Sequence, residues 1–190
     1  RQDIKDALDK YRARLQVSGS PGEVRVSLQT LRGNLVPVLE VISEVLRKPV
    51  FPAEELELLR EARLSSAEQR LVSPTSIAQN MVLRKISVYK SEDPRHIAGL
   101  KEEIDRIKSV TIGQVTGLYS SLLSGKHGEL SIVGDFDPAE VVPVIEEITN
   151  GWQSESSFEH IPKIAVNNKR GGLQKVNTPD KEQATYFAGM

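Results

Sequence analysis

The sequence contains no cysteine among its 190 residues. This absence excludes disulfide scaffolds, thiolate zinc sites, iron–sulfur clusters and cysteine nucleophiles. Histidine is also scarce, with three residues in the whole chain. No apolar run approaches the ~20 residues that a helix needs to span a bilayer. The sequence therefore offers few of the side chains on which metal and nucleophilic chemistry depend.

The charge of the chain is almost balanced. Lys and Arg number 25 and Asp and Glu number 26, which gives a formal net charge of −1. A surface built mainly to bind nucleic acid or anionic membranes would carry an excess of basic residues. Hydrophobic residues make up 38% and charged residues 27% of the chain, as in ordinary globular proteins. We therefore expect one domain, or one domain and part of the next, with no nucleic-acid partner and no membrane span.

Apolar and polar residues alternate near the N-terminus and predict a β-hairpin. Val24, Val26 and Leu28 alternate with polar neighbours, which is the period of a strand with one buried face. A loop at residues 19–22 separates this strand from an earlier one that begins at residue 15. A buried strand is also predicted at residues 130–134, and another strand from residue 183 to the end.

Helices are predicted from apolar stripes with helical spacing and from capping residues. Asn34, Ser73, Thr111 and Asp137 are the expected N-caps, because their side chains can accept hydrogen bonds from the first helical turn. The predicted helices lie at residues 2–11, 35–48, 53–71, 74–89, 101–108, 112–122 and 138–149. Both ends of the chain are therefore expected to fall inside secondary-structure elements, as in a piece of a longer protein.

The three histidines do not form a recognisable zinc motif. They are His96, His127 and His160, and none has Asp or Glu three or four positions later. The H-E-x-x-H and H-x-x-E-H zinc patterns are both absent. Glu129 near His127, or Glu159 beside His160, could reach a metal only together with remote ligands. We interpret all three histidines as surface loop residues.

Patterns for phosphate binding and serine catalysis are incomplete. Gly125-Lys126 resembles the end of a phosphate-binding loop, but the first glycine of the motif is missing and His127 replaces its Ser or Thr. Ser20 lies between glycines of the predicted hairpin loop and belongs to no G-x-S-x-G elbow. Neither segment is therefore assigned a catalytic role.

Two charge clusters are interpreted as ordinary helix ends. Glu54, Glu55, Glu57 and Glu61 would form the solvated face and the first turn of a helix, where the helix dipole favours negative charge. Arg84, Lys85 and Lys90 would complement the opposite partial charge at a helix C-terminus.

Two sequence blocks resemble the pitrilysin/insulinase family of zinc metallopeptidases, which includes the mitochondrial processing peptidases. The first block reads L-R-G-N-L-V-P-V-L-E-V-I at residues 31–42 and continues as L-R-K-P-V-F-P-A-E-E-L at residues 46–56. The second block reads L-S-I-V-G-D-F-D-P at residues 130–138 and is followed by a capped helix and Gly151-Trp152. Each block is a weak signal alone, but their order resembles that family over nearly the whole chain.

The resemblance implies a fold and indicates which half of the enzyme this is. It implies an α+β domain with a mainly antiparallel mixed sheet and helices packed on one face. In the zinc-binding half of the family, an H-x-x-E-H helix precedes a strand with an N-A-x-T type motif, whereas residues 15–22 here read L-Q-V-S-G-S-P-G. Glu61 and Glu68 lie on the helix that supplies the third zinc ligand there, but no histidine pair accompanies them. The resemblance therefore implies the non-catalytic half, with no catalytic, cofactor-binding or metal-binding residue in this chain.

The resemblance also implies a division of the chain and a set of partners. Residues 1–151 are expected to form a truncated inactive peptidase-like domain, residues 152–177 a linker, and residues 178–190 the first strand of the following domain. Zinc is expected in the catalytic half of the parent protein or of a partner subunit. The expected partners are that catalytic half and an unfolded peptide substrate, with a dimer as a further option. The compartment is expected to be a bacterial periplasm or cytoplasm.

The function implied by the resemblance is confinement of a peptide substrate. The chain would form part of the wall of a clamshell chamber in a zinc metalloendopeptidase. One alternative is a structural relative, like the core subunits of a respiratory complex, with no peptidase partner. Another is an unrelated α+β binding module. An H-x-x-E-H motif in the parent chain or a partner separates the first two functions, and the fold tests the third.

Overall fold

The computed structural model describes residues 2–162, 164, 170–178 and 180–189. The described residues have an α+β fold, which confirms the expected fold class. In chain order the elements are α1 (Gln2–Lys10), β1 (Arg14–Ser20), β2 (Glu23–Gln29), α2 (Leu35–Arg47), α3 (Ala53–Leu71), α4 (Pro74–Ile86), α5 (Leu100–Ser109), α6 (Ile112–Leu122) and α7 (Pro138–Thr149). Across these ranges, none of the helices has the length and apolar composition that crossing a membrane would need.

The two strands form an antiparallel hairpin whose turn is set by its sequence. Ser20 pairs with Glu23, so only Pro21 and Gly22 connect β1 to β2. Gly22 has a φ of 83°, which suits the second central position of a type II turn, and proline suits the first. The predicted hairpin is therefore confirmed, with antiparallel strands as expected.

The chain divides into two compact units, of which the first comprises Arg1–Phe51 and Gly113–His160. Its core forms around α2, where Val38 is fully buried and Ile42 is 6% exposed. These residues pack with Ala13, and the surrounding half-buried residues are Leu8, Tyr11, Leu15, Leu28 and Leu46. Leu15 and Leu28 are paired in the hairpin register, so one face of the hairpin packs toward the helices.

The C-terminal end of α7 is held by an arginine of α2. The Arg47 Nη1 donates to the carbonyl oxygens of Ile148 and Asn150 at 2.7 and 2.9 Å. The Arg47 guanidinium also lies 5.8 Å from the centre of the Trp152 ring. Helix C-termini leave carbonyl groups without intrahelical partners, and a cationic donor satisfies them well. One side chain therefore joins α2, α7 and the tryptophan that follows α7.

The second unit comprises Pro52–Ile112 and Ile161–Met190. Its helices α3 and α5 pack together, and the buried residues on them are Ala67, 1% exposed, and Ile104, 8% exposed. Arg60 of α3 donates to the carbonyl oxygens of Ile107, Lys108 and Val110, at and just beyond the C-terminal end of α5. In both units, therefore, an arginine from an earlier helix donates hydrogen bonds to the backbone carbonyls at the C-terminal end of a later helix.

Two of the expected caps, Ser73 and Asp137, are confirmed at the starts of α4 and α7. The Ser73 Oγ accepts a hydrogen bond from the Ser76 amide, and the Asp137 carboxylate accepts one from the Ala139 amide. The prediction for Asn34 was wrong, because its side chain makes no cap bond and instead donates to the Tyr11 carbonyl at 2.9 Å. A 3₁₀ turn at Arg32–Asn34 leads into α2 and places Asn34 in a helical backbone conformation.

The prediction of a buried strand at residues 130–134 was also wrong. The segment forms no strand, and Leu130 and Val133 are 60% and 95% exposed. An apolar run becomes a strand only when another strand pairs with it, and in the described ranges β1 and β2 pair only with each other. Residues 180–189 likewise form no strand. Residues 163, 165–169, 179 and 190, which belong to the expected linker and the expected last strand, lie outside the described residues.

Candidate functional site

The histidines are not brought together with acidic residues into a metal site. His127 is exposed and stacks on Phe158, with ring centres 5.0 Å apart, and His160 is exposed. His96 is half-buried, and its Nδ1 lies 3.0 Å from the Tyr89 carbonyl oxygen. Across the part of the chain that the structure describes, no group of three or more His, Asp or Glu side chains could hold a metal ion.

The acidic residues of α3 lie as the sequence indicates. Glu54 and Glu55 occupy the first turn of the helix, where the helix dipole favours carboxylates. Glu61 and Glu68, the positions that the family resemblance links to a third zinc ligand, are both exposed on this helix. They are therefore solvated carboxylates in this chain.

The family-like sequence blocks meet in the first unit. Arg32 of the first block donates to the Asp135 carboxylate of the second at 2.6 Å, and this bond raises the pKa of the Arg32 guanidinium. Arg47 of the first block and Trp152 at the end of the second meet at the C-terminus of α7. The two blocks that resemble the family are therefore in contact with each other in the first unit.

A cleft of about 310 Å³ lies at the C-terminal end of α4, within the second unit. We call it the α4 cleft. It is lined by Met81, Arg84, Lys85, Ser87, Tyr89, His96, Ile97 and Gln174. The lining includes the cationic residues Arg84 and Lys85, several hydrogen-bonding groups and two apolar side chains, and it includes no carboxylate. It resembles ligand clefts, which combine apolar walls with a few convergent polar groups.

The turn that borders the cleft is fixed by an arginine–aspartate pair. The Asp93 carboxylate accepts from the Arg95 Nε at 2.9 Å, from the Arg95 Nη2 at 2.7 Å and from the Arg95 amide at 2.8 Å. The same guanidinium lies 4.1 Å from the centre of the Tyr89 ring and donates to the Pro162 carbonyl. These bonds hold Tyr89 at the wall of the cleft.

A second acidic group, Glu102, lies near the histidine that lines the cleft. The Glu102 carboxylate accepts from the Gly99 amide at 3.1 Å and from the Arg106 guanidinium at 2.6 Å. The amide bond is the main reason that the pKa of Glu102 is lowered. The other ring nitrogen of His96, Nε2, lies 3.6 Å from this carboxylate. Glu102 therefore orients the start of α5 and the histidine that lines the cleft.

The Asp93–Arg95 pair predicts a specific loss of stability in acid. Hydrogen bonds from Arg95, first from its side chain and then from its amide, lower the pKa of Asp93 from 3.8 to about 2. A carboxyl group with a lowered pKa in the folded state stabilises it above the unfolded pKa, and this stabilisation disappears as the pH falls through the folded value. We therefore expect Asp93→Asn to be less stable than the native chain at pH 7, with a difference that shrinks between pH ~4 and pH ~2.

Urea unfolding at a series of pH values measures this difference. Asp105→Asn, which changes an exposed residue of α5, is the matched control. Its stability should differ little from that of the native chain at every pH. A stability difference for Asp93→Asn that stays constant from pH 7 to pH 2 would contradict the assignment.

The sequence did not indicate the α4 cleft. Arg84 and Lys85 do lie in the last turn of α4, as expected for residues that complement the helix dipole. However, the cleft also needs Gln174 from a distant extended segment, which no local pattern pairs with α4. His96 was interpreted as a surface loop residue, and its contacts with Tyr89 and Glu102 depend on the turn that the Asp93–Arg95 pair closes.

Comparison with known proteins finds a family model that matches part of the chain and a solved structure with a similar fold. Residues 109–189 match the family model described as the peptidase M16 inactive domain. The chain is also similar to the crystal structure of a peptidase M16 inactive domain from Pseudomonas fluorescens, with a TM-score of 0.67 and 17% identity. That alignment covers 82% of this chain and 38% of the other, so the chain spans well under half the length of that protein. The curated proteins contain no match.

The family match and the fold agree with the resemblance read from the two sequence blocks. The M16 peptidases are the pitrilysin-like family, and the matching model describes their inactive domain. Residues 109–189 match the inactive-domain model of the M16 peptidases, and the chain has a fold similar to that of the solved inactive domain from Pseudomonas fluorescens.

Proposed function

We propose that this chain is part of the wall of a peptidase chamber whose catalytic zinc is held elsewhere. The zinc-bearing half would be another domain of the same polypeptide or a separate subunit. The two halves would enclose an unfolded peptide between them, and this chain would confine the peptide without cleaving it.

The observation that carries the proposal is the match of residues 109–189 to the inactive domain of a peptidase family. A domain related to a peptidase but without catalytic groups can contribute to the enzyme by binding and by shape. Helices packed on a hairpin provide a rigid backing for such a surface. Within the two family-like blocks, Arg32, Asp135 and Arg47 are engaged in contacts with other parts of the fold.

The proposed domain organisation is the one that the resemblance in the two sequence blocks implies. Residues 1–151 would be the inactive domain and residues 152–177 a linker. Residues 180–189 form no strand here, and residues 178–190 would become the first strand of the next domain only when that domain pairs with them. A linker of this kind would allow the halves of the chamber to open and close around a peptide.

A cleavage assay on the purified chain tests whether it is non-catalytic. The chain is incubated with zinc and with an unfolded protein such as reduced casein, in the presence and absence of a chelator, and the products are separated by mass. We expect no cleavage that the chelator abolishes. The matched control is Glu61→Gln/Glu68→Gln, which removes the two carboxylates nearest in sequence position to a family zinc ligand. Zinc-dependent cleavage that this double variant loses would overturn the proposal.

A further inference from the structure

We propose that the α4 cleft binds a carboxylate group of a peptide. The inference rests on the proposed function for the nature of the ligand, because a chamber wall meets peptides. The site itself is inferred from the charges and contacts of the second unit.

The cleft has two cations that the rest of the described chain does not neutralise. Neither the Arg84 guanidinium nor the Lys85 ammonium forms an ion pair with a carboxylate of the described residues. Both side chains are exposed, so a ligand from solution can reach them. The C-terminal end of α4 contributes only about half a negative charge, so the two full positive charges exceed it.

The acidic residues around the cleft are already paired with other groups. Asp93 is held by Arg95, and Glu102 by Arg106 and the Gly99 amide. The nearby Glu92 accepts a hydrogen bond from Ser91 at 2.6 Å. None of these three carboxylates lines the cleft, so the charged groups of its lining are the cations Arg84 and Lys85.

The shape and donors of the cleft fit a carboxylate beside an apolar side chain. Arg84 presents a planar fork of N–H donors that matches a carboxylate, and Lys85 adds a point charge. The guanidinium lies over Gly99, where an added Cβ would be 3.1 Å from its Nη1, so the glycine leaves room for it. Met81 and Ile97 supply apolar surface in the same cleft.

Extended chain already lies against α4. Gln174, from the described segment 170–178, lines the cleft. Gly189 lies so close to Val82 that an added Cβ would come within 2.7 Å of the valine Cγ1. The surface of α4 therefore accepts polypeptide in a non-helical conformation, and a peptide of one or two residues fits the volume of the cleft.

A titration of the full chain followed by heteronuclear NMR tests the proposal. Three peptides are compared: acetyl-Ala-Ala-Ala-Leu with a free C-terminus, the same peptide as its amide, and acetyl-Ala-Ala-Glu-Leu amide. Inorganic phosphate is titrated as a fourth ligand. We expect a carboxylate peptide to shift amide signals within residues 81–97, with binding that weakens as the salt concentration rises.

The variant Arg84→Gln/Lys85→Gln should weaken this binding by about tenfold or more. Arg63→Gln/Lys108→Gln removes the same charge from exposed positions of the same unit and should change the affinity less than about twofold. Because the substituted side chains are exposed, all variants should keep the native NMR spectrum outside the cleft. Binding of the free-acid peptide would assign the site to a C-terminus, and binding of the glutamate peptide to an acidic side chain.

Three results would overturn the proposal. They are equal binding of the neutral amide, an undiminished affinity of Arg84→Gln/Lys85→Gln, and binding of phosphate without binding of either carboxylate peptide. These results are separable from the chamber proposal, which depends on a zinc-bearing partner. If the cleft binds a carboxylate but no zinc-bearing partner exists, only the chamber proposal is contradicted. If a zinc-bearing partner exists but the cleft binds no carboxylate, only the proposal for the α4 cleft is contradicted.

Discussion

Replacement of Arg60 by methionine should lower the free energy of unfolding of the second unit by about 3 kcal/mol or more, because it removes three hydrogen bonds to a charged group, each of which contributes roughly 1.5–3 kcal/mol. The Arg60 side chain is 15% exposed and donates to three backbone carbonyls within 2.7–2.9 Å. It also pairs with Glu57 at 3.0 Å. Methionine keeps much of the side-chain volume but leaves the carbonyls at the end of α5 without a donor.

Arg63→Met is the matched control, because Arg63 lies on the same helix and is exposed. Its effect should stay within about 0.5 kcal/mol. Arg60→Lys should fall between the two, because one ammonium cannot reach three carbonyls with the geometry of a guanidinium. Urea unfolding and hydrogen exchange at the amides of α5 measure the effect. A loss below about 1 kcal/mol for Arg60→Met would contradict the claim that this arginine joins α3 to α5.

Replacement of Ile42 by alanine should cost about 3 kcal/mol in the first unit, the middle of the range for large-to-small changes in a core. Ile42 is 6% exposed and packs with Val38 and Ala13 in a small buried cluster. Few other buried side chains of this cluster could move to fill the cavity, so the full cost of the lost contacts should appear.

Comparison of three substitutions that remove different amounts of buried side chain separates the loss of core packing from other effects on stability. Ile42→Val should cost about 1 kcal/mol. Leu58→Ala, at a position on α3 that is 56% exposed, should change stability by less than about 0.5 kcal/mol. Chemical unfolding of the three variants gives the order, and a loss for Ile42→Ala no larger than that for Leu58→Ala would contradict the assignment of the core.

The features that the sequence predicted correctly are those that neighbouring residues determine. Ser73 and Asp137 act as caps because their acceptors lie within the first turn of their own helices. The hairpin turn at Pro21-Gly22 follows from the backbone preferences of those two residues. Helical spacing likewise located α2 closely, because an apolar stripe is a property of the segment itself.

The features that the sequence did not predict correctly depend on distant residues. Asn34 has the right composition for a cap, but the Tyr11 carbonyl competes for its side chain. Residues 130–134 have the composition of a buried strand, but a strand also needs a partner beside it. The α4 cleft joins the end of one helix to Gln174, and neither segment alone indicates a binding site.

The most direct test of the central claim is the composition of the native assembly. The polypeptide that contains this sequence is purified from its native source with its tightly bound partners. Peptide mass spectrometry then determines their sequences, and metal analysis determines the zinc content. The account predicts an H-x-x-E-H motif in that polypeptide or in a stoichiometric partner, together with one zinc ion for each motif. An assembly in which no chain carries the motif and no zinc is bound would contradict the proposal that this chain is the wall of a zinc peptidase.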